Sequence, residues 1–225
     1  MAPGNRDGRI EVDSDASPER YVAGDEALLE RPPPRGRVAV LRARCLSYGV
    51  GIRSTAPYLA RSAAEGIPAI RRSTGGAGLL HEPGDLAWTV VLPREDRRVG
   101  RDFVRAYGRL GRGVVRWLGT LGAAARWEDP PALSHAYCEL SERGSILTSG
   151  GWIIGGAAQH AAGGLLLHHG TISRCVDRPT IERLFDLGEA ASRRLGGLVD
   201  LGIDGPAGGL ARDLAAALDD DLALD

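Results

Sequence analysis

The residues best suited to holding an anion lie in one glycine-rich segment, Arg71-Arg-Ser-Thr-Gly-Gly-Ala-Gly78, which is followed by His81. Its glycines let the backbone approach a ligand closely and adopt positive φ angles. Successive exposed N–H groups can cradle an anion, and the two leading arginines suit phosphate or carboxylate. The pattern predicts an anion-binding loop; a β-turn with solvated arginines is the alternative. Candidate contacts are Arg71, Arg72, Ser73, Thr74, Gly75, Gly76, Ala77, Gly78 and His81.

A second glycine-rich stretch runs over residues 150–160 and continues through 163–170. Small residues permit tight contact between a strand and a ligand, and the amide of Gln159 suits a polar head group. Residues 165–167 are leucines, which predict either a core or an apolar tunnel. The alternative is glycine-rich hairpins in which His168 and His169 are structural. The histidines and cysteines show no His-x-x-x-His or Cys-x-x-Cys spacing, so no metal site is expected.

Composition excludes several classes of function. The 225 residues carry a net charge of −1, which does not favour nucleic acid or an anionic membrane as partner. No run of 18 apolar residues is present, no secretory signal is expected from the polar first residues, and three cysteines favour free thiols in a reducing cytoplasm. All 28 residues counted as Lys+Arg are arginines. A lysine amine is therefore excluded as a nucleophile or Schiff-base former.

Periodicity predicts a mixed helix and strand fold. Helices are expected over 19–30, 57–65, 101–121, 180–198 and 209–222, and strands over 37–44, 69–72, 85–92, 125–128, 145–148, 152–156 and 164–169. Residues 45–51 are expected to form a turn. The polar residues 1–17 are expected to be a flexible N-terminus before a single domain over 18–225. This mixture is typical of an α+β or α/β fold with helices against a sheet.

Four of these segments follow one another as in a known family. They are Tyr21-Val-Ala-Gly-Asp-Glu-Ala-Leu-Leu-Glu30, the arginine-glycine segment extended through Leu86, Gly155-Gly-Ala-Ala-Gln159 and Leu167-His-His-Gly-Thr-Ile172. Their order and content resemble the lipoate–protein ligase and octanoyltransferase family, a branch of the biotin/lipoate protein ligase superfamily. The resemblance covers most of the chain.

The resemblance implies a central mixed β-sheet flanked by helices, with a tunnel for a lipoyl or octanoyl chain. The arginine-glycine loop would hold the carboxyl end of the acyl group or its adenylate. Partners would be an acyl carrier protein and a lipoyl domain protein whose lysine receives the acyl group, with no C-terminal accessory domain in this chain. Further substrate contacts would be Ile153, Gly155, Gly156, Ala157, Gln159, His169 and Gly170.

One departure from the family bears on mechanism. The resemblance places the family's lysine at Ile153, which cannot polarise an acyl carbonyl. Loss of one such donor costs on the order of 10²–10³ in rate. Cys138 lies fifteen residues before Ile153, as does the thioester-forming cysteine of one octanoyltransferase type. The resemblance therefore makes Cys138 the candidate nucleophile, with His135 as its base or ion partner; a buried small hydrophobe is the alternative.

Three functions stay open on the sequence. The first is acyl transfer through a Cys138 thioester. The second is a non-catalytic relative that binds an acyl group, an acylated domain or a separate accessory or ligase partner. The third is an ATP-dependent lipoate ligase in which Arg71 or Arg72 replaces the lysine. ATP is expected only under the third, and no resident cofactor is expected under the first.

Overall fold

The computed structural model describes residues 9–100, 103–128, 136–141 and 144–223. The helices of these ranges are α1 (Pro18–Leu28), α2 (Pro57–Ala64), α3 (Phe103–Leu110), α4 (Arg112–Thr120), α5 (Cys138–Ser141), α6 (Arg178–Phe185), α7 (Glu189–Ser192) and α8 (Ala207–Ala223). The strands are β1 (Ile10–Ala16), β2 (Arg35–Leu41), β3 (Cys45–Tyr48), β4 (Ala69–Arg71), β5 (Gly78–His81), β6 (Leu86–Pro93), β7 (Ala125–Glu128), β8 (Ser145–Thr148), β9 (Ile153–Ala162) and β10 (Leu165–Ile172).

Seven of the strands form a mixed sheet in the order β1-β2-β6-β10-β9-β8-β7. Only the β1–β2 pair is parallel within this sheet, and the other neighbours are antiparallel. A smaller sheet has the order β4-β3-β5, with β3 parallel to β4 and antiparallel to β5. The mixed sheet with flanking helices confirms the fold class predicted from the sequence.

The main core lies between the large sheet and helices α4 and α8. Leu210, Leu214 and Leu218 follow one another at every fourth position of α8, so they share one face and pack with Trp88 of β6. A second core joins the small sheet to α2 and α6, around Tyr58 and other apolar residues. The two cores fix the small sheet beside the large one.

Helix α1 begins at a well-formed N-cap. The Ser17 hydroxyl accepts a hydrogen bond from the Arg20 backbone N–H, and proline occupies the first helical position. Tyr21 and Asp25 are buried and lie one turn apart on the face that meets the sheet. The helix thereby presents one aromatic and one acidic side chain to the protein interior.

Two predictions from the N-terminal part of the sequence are wrong. Residues 10–16 were expected to be flexible, but they form edge strand β1, which Asp13 ties to Arg37 of β2 through an ion pair. Residues 45–51 were expected to form a turn, but Cys45–Tyr48 is strand β3. Strand β3 is the central strand of the small sheet and pairs with β4 on one side and β5 on the other.

Two predicted long helices are each divided. The helix expected over 101–121 is split into α3 and α4 at Gly111, whose carbonyl accepts a hydrogen bond from the Trp127 indole. The helix expected over 180–198 ends at Phe185, because Asp186 adopts a left-handed backbone conformation with φ 56°. Apolar spacing continued through both breaks, which is why periodicity missed them.

The packing of α8 gives a first prediction. Replacing Leu214 by alanine removes a fully buried side chain from the main core, so the free energy of unfolding should fall by about 2–5 kcal/mol. The exposed neighbour substitution Asp213→Ala should change it by less than about 0.5 kcal/mol. Urea unfolding followed by circular dichroism measures both. A loss below about 1 kcal/mol for Leu214→Ala would contradict this packing.

Candidate functional site

A pocket opens where the arginine-glycine loop, α1, α5 and the β9–β10 hairpin meet. Its empty space, including the mouth, is about 380 Å³. The lining combines small or apolar residues with a few polar side chains, as ligand pockets usually do. The lining residues are Tyr21, Arg72, Leu79, Cys138, Glu139, Ser145, Gly156, Ala157, Ala158, His169, Gly170 and Thr171.

Arg72 brings a positive charge into this pocket. Its side chain is held by three hydrogen bonds, from Nη1 to Ser47 Oγ at 2.6 Å and from Nη2 to the carbonyls of Gly75 and Ala77, each at 3.1 Å. The residue is only 4% exposed. Within the described ranges no carboxylate pairs with it. A buried cation surrounded by neutral acceptors favours an anionic or strongly polar ligand.

The buried Ser47 hydroxyl and His81 imidazole hold the Arg72 guanidinium in position. The Ser47 hydroxyl accepts from Arg72 and lies 2.6 Å from His81 Nε2. Burial lowers the pKa of His81 to about 3, and the positive charge of Arg72 acts in the same direction. His81 is therefore neutral, and we assign its Nε2 as the acceptor of the Ser47 hydroxyl proton. The hydrogen bonds from Arg72 to Ser47 and from Ser47 to His81 fix the guanidinium without neutralising its charge.

A second series of buried hydrogen bonds joins the arginine-glycine loop to the large sheet. His169 Nδ1 lies 2.8 Å from Asp25 Oδ2, and its Nε2 lies 2.8 Å from the Thr74 hydroxyl. The other Asp25 oxygen accepts a hydrogen bond of 2.6 Å from the Thr89 hydroxyl. Helix α1, strand β10 and the arginine-glycine loop are thus joined through one imidazole. Because both ring nitrogens are engaged, His169 acts here as a positioning group.

Two glycines permit the close approaches that shape the pocket. Gly76 has φ 94°, a left-handed conformation that favours glycine, and it turns the loop so that the Ala77 carbonyl reaches Arg72. Gly170 lies where β10 crosses Trp88, and a Cβ there would stand 2.3 Å from the Gly156 carbonyl oxygen. A side chain at Gly76 would strain the backbone, and a side chain at Gly170 would displace its surroundings.

Cys138 and Glu139 enter the pocket from the short helix α5. Cys138 is its first residue and is half-buried, whereas Glu139 is 3% exposed. The Glu139 Oε1 atom is buried and has no hydrogen-bond partner within the described ranges. A thiol and a carboxyl group therefore line the same pocket from adjacent positions of the chain.

Burial makes Glu139 a neutral acid near neutral pH. Loss of solvent raises its pKa to about 8, and the negative charge of Asp85 adds to the effect. Burial also raises the pKa of Asp85 to about 8, although Asp85 accepts hydrogen bonds from the backbone N–H groups of Glu82 and Arg174. A negative charge on Asp85 therefore opposes ionisation of Glu139, and a negative charge on Glu82 opposes ionisation of Asp85.

Six of the residues predicted from the sequence line the pocket together, namely Arg72, Cys138, Gly156, Ala157, His169 and Gly170. Five other predicted residues hold the lining residues in place. Thr74 and His81 do so through their side chains, Gly75 and Ala77 through their carbonyls, and Gly76 through its turn. Gly78 seats the start of β5 against Tyr48. Ser73 is half-buried in the same loop.

Four predicted residues lie away from the pocket lining. Arg71 is exposed and donates a hydrogen bond to the Val50 carbonyl. Ile153 is fully buried in the second apolar core. Gln159 contacts His168 rather than the pocket, and Gly155 packs its backbone against Thr171. His135, the predicted partner of Cys138, lies outside the described residues.

Sequence reasoning missed several residues that complete the site. Ser47 lies on the strand that was expected to be a turn, so its link to Arg72 was not foreseen. Tyr21 and Asp25 were in the quoted helix segment, and their spacing of four was an available signal. Glu139 gave no signal, because a glutamate in a polar stretch is normally solvated.

The described residues give no indication of a metal site or a membrane span. They bring no three histidine, cysteine, aspartate or glutamate side chains together as metal ligands. No helix in the described ranges has the length and hydropathy needed to cross a bilayer.

Comparison with known proteins identifies the class of this domain. The family model for the lipoyl protein ligase A/B catalytic domain matches residues 40–195. The match spans most of the chain, including the loop of Arg72, Cys138 and the β9–β10 hairpin. The chain belongs to this family of catalytic domains.

Particular relatives are similar over part of their length. The octanoyltransferase LipM of Macrococcus caseolyticus is 29% identical over 141 residues, which are 59% of this chain and 50% of LipM. The chain spans about half the length of the curated relatives it matches.

Two solved structures share the fold. A lipoate-protein ligase A bound with ATP matches with a TM-score of 0.78 at 22% identity, over 97% of this chain and 86% of its own. A bipartite lipoate protein ligase of Thermoplasma acidophilum, studied with its E2 lipoyl domain, gives 0.72 at 22% identity, over 97% and 84%. The mixed sheet and its helices are therefore those of the biotin/lipoate protein ligase fold.

The buried Glu139 carboxyl predicts how stability varies with pH. The folded chain keeps this proton up to about pH 8, whereas the unfolded chain loses it near the ordinary value of 4.5. The contribution of Glu139 to the stability of the folded chain is therefore fully present below the ordinary pKa of a glutamate. It is lost as the pH rises through the pKa that Glu139 has in the folded chain. Glu139→Gln removes this dependence.

The test measures thermal unfolding midpoints between about pH 5 and pH 9. The fall in midpoint with rising pH should be shallower for Glu139→Gln than for the wild-type protein. Glu26→Gln, at an exposed position of α1, should follow the wild-type curve. Parallel curves for wild type and Glu139→Gln would show that Glu139 is not a buried neutral acid.

Proposed function

We propose that this domain transfers a lipoyl or octanoyl group from a carrier thioester to a lysine of a lipoyl domain, through a thioester on Cys138. The observation that carries the proposal is the presence of Cys138 and the buried Arg72 cation in the lining of one pocket. A thiol is a competent acyl nucleophile once it is deprotonated. Membership of the lipoyl ligase family gives the class of acyl group.

Arg72 supplies the electrostatic part of the mechanism. Three of its five N–H donors are used by Ser47, Gly75 and Ala77. The two others are available for the carbonyl oxygen of a bound acyl group. Because the guanidinium is already fixed and desolvated, it can stabilise the charge that develops on this oxygen without reorganising.

The rest of the pocket suits the acyl chain. Leu79, Ala157 and Ala158 present apolar surface, and Gly156 and Gly170 add no side chain to the lining. Burying each methylene of a fatty chain contributes about 0.8 kcal/mol. An apolar chain beside one buried cation is the ligand that such a lining selects.

The transfer has two balanced steps. The Cys138 sulfur forms a bond with the acyl carbon as the carbon–sulfur bond of the donor breaks, and the thiol proton ends on the donor thiol. The lysine nitrogen of the acceptor then bonds to the acyl carbon as the bond to Cys138 breaks, and one amine proton returns to the cysteine sulfur. No ATP is consumed, because the donor thioester is already activated.

The acceptor in this proposal is a lipoyl domain. The structural relative from Thermoplasma acidophilum was studied together with its E2 lipoyl domain, and this chain has the same fold. The acyl donor is a carrier protein, as expected for a transferase that resembles LipM. A separate accessory partner is required only under the alternative functions.

One observation favours a second candidate, a non-catalytic acyl-binding relative. The chain has no lysine, and Ile153 contributes its side chain to the second apolar core rather than to the pocket. Such a protein would bind the acyl group or an acylated domain without turnover. The transfer assay with Cys138 variants distinguishes the two functions.

The binding role of Arg72 can be tested with sodium octanoate as probe. Arg72→Gln keeps hydrogen-bonding capacity but removes the charge, so the Kd measured by calorimetry should rise by about 10- to 100-fold. Arg71→Gln, at the adjacent exposed arginine, should change the Kd by less than about threefold. Equal effects of the two substitutions would refute a specific role for Arg72.

The nucleophile is tested by transfer of an octanoyl group from an acyl carrier protein to a lipoyl domain. Cys138→Ala should abolish transfer because the covalent route is lost, with its melting temperature close to that of the wild type. Cys175→Ala, which removes an exposed thiol, should leave the rate unchanged. Undiminished transfer by Cys138→Ala would remove Cys138 from the mechanism.

A further inference from the structure

The pocket lining contains a buried carboxyl group that the mechanism above does not use. Glu139 follows Cys138 directly, lines the pocket and is 3% exposed. Its Oε1 atom has no hydrogen-bond partner among the residues that the structure describes. A buried polar atom without a partner is costly, and in a native protein it calls for an explanation. A ligand atom in the pocket would supply the missing partner.

We propose that the Glu139 side chain is a neutral hydrogen-bond donor to the acyl carbonyl oxygen, in the role that a lysine cannot take in this chain. This inference rests on the proposed acyl transfer and adds a third catalytic residue to Cys138 and Arg72. A protonated carboxyl in an apolar site can stabilise an oxyanion as an N–H group does. The Glu139 proton stays on the carboxyl in both transfer steps, so the balance of atoms is unchanged.

The surroundings keep this carboxyl neutral. Helix α5 packs against β9 and β5, which contribute mostly apolar or small residues to the pocket. Among the described residues, the charged and titratable groups around Glu139 are Asp85, Tyr137 and Cys138, together with Arg72, Tyr21 and His169 on the other pocket walls. Asp85 opposes ionisation of Glu139, and Arg72 is not among the groups that shift its pKa.

Arg72 and Glu139 then have complementary roles. Arg72 carries a fixed charge at any accessible pH, whereas Glu139 donates only while it is protonated. The proposed oxyanion site therefore combines one cation and one neutral acid. It predicts an activity that declines when Glu139 loses its proton near its raised pKa of about 8.

The test is the single-turnover rate at which octanoyl-carrier protein acylates Cys138, followed by rapid quenching and intact-mass spectrometry. Glu139→Ala should lower this rate by about 10²–10³, the usual cost of one oxyanion donor. Glu139→Gln retains an N–H donor and should remain within about tenfold of the wild type. Both variants are first checked for wild-type secondary structure and a cooperative melt.

The pH profile separates this role from a structural one. The ratio of the wild-type rate to the Glu139→Gln rate should fall as the pH passes about 8, because only the wild type loses its donor. A pH-independent ratio, or a Glu139→Gln rate as low as that of Glu139→Ala, would overturn the inference. An undiminished Glu139→Ala rate would overturn it while leaving acyl transfer intact. Failure of the wild type to become acylated would overturn the proposed function itself.

Discussion

The burial of the Arg72 guanidinium is the constraint on which the rest of the site depends. A charge removed from water must be hydrogen-bonded, and its cost is not offset when every acceptor is neutral. Here the acceptors are one hydroxyl and two loop carbonyls, so the charge is positioned but not neutralised. The small sheet is required to bring Ser47 to this group, and the positive φ of Gly76 is required to turn the Ala77 carbonyl toward it.

The second requirement is that the loop stay docked on the large sheet. The Asp25–His169–Thr74 chain meets it by linking α1, β10 and the loop through buried hydrogen bonds. Networks of this kind are rigid when every member is satisfied. Both nitrogens of His169 are used in this way, whereas Arg72, Cys138 and Glu139 line the pocket and are the groups to which we assign chemistry. Structure and chemistry are thus divided between two sets of polar residues.

The sequence predicted the mixed fold, the loop and Arg72 because these depend on local pattern and on glycine placement. The other five predicted pocket residues, Cys138, Gly156, Ala157, His169 and Gly170, came from the family resemblance. It did not predict β1 or β3, whose identity comes from pairing with strands elsewhere in the chain. It also missed the break at Asp186, since a left-handed aspartate leaves apolar spacing unchanged. The burial of Glu139 could not be predicted for a related reason. It results from packing of α5 against β9 and β5, which the residue type does not reveal. Ile153 was placed at a ligand contact by resemblance, and the fold instead buries it in an apolar core.

The central claim is that a chain without lysine carries an acyl group on Cys138. The most direct measurement is intact-mass spectrometry of the protein after incubation with octanoyl-carrier protein and, separately, with octanoate and ATP. The account predicts an octanoyl adduct with the carrier protein alone, located on Cys138 by peptide mapping and released by hydroxylamine. An adduct that requires ATP, or no adduct under either condition in a folded protein that still binds octanoate, would contradict it.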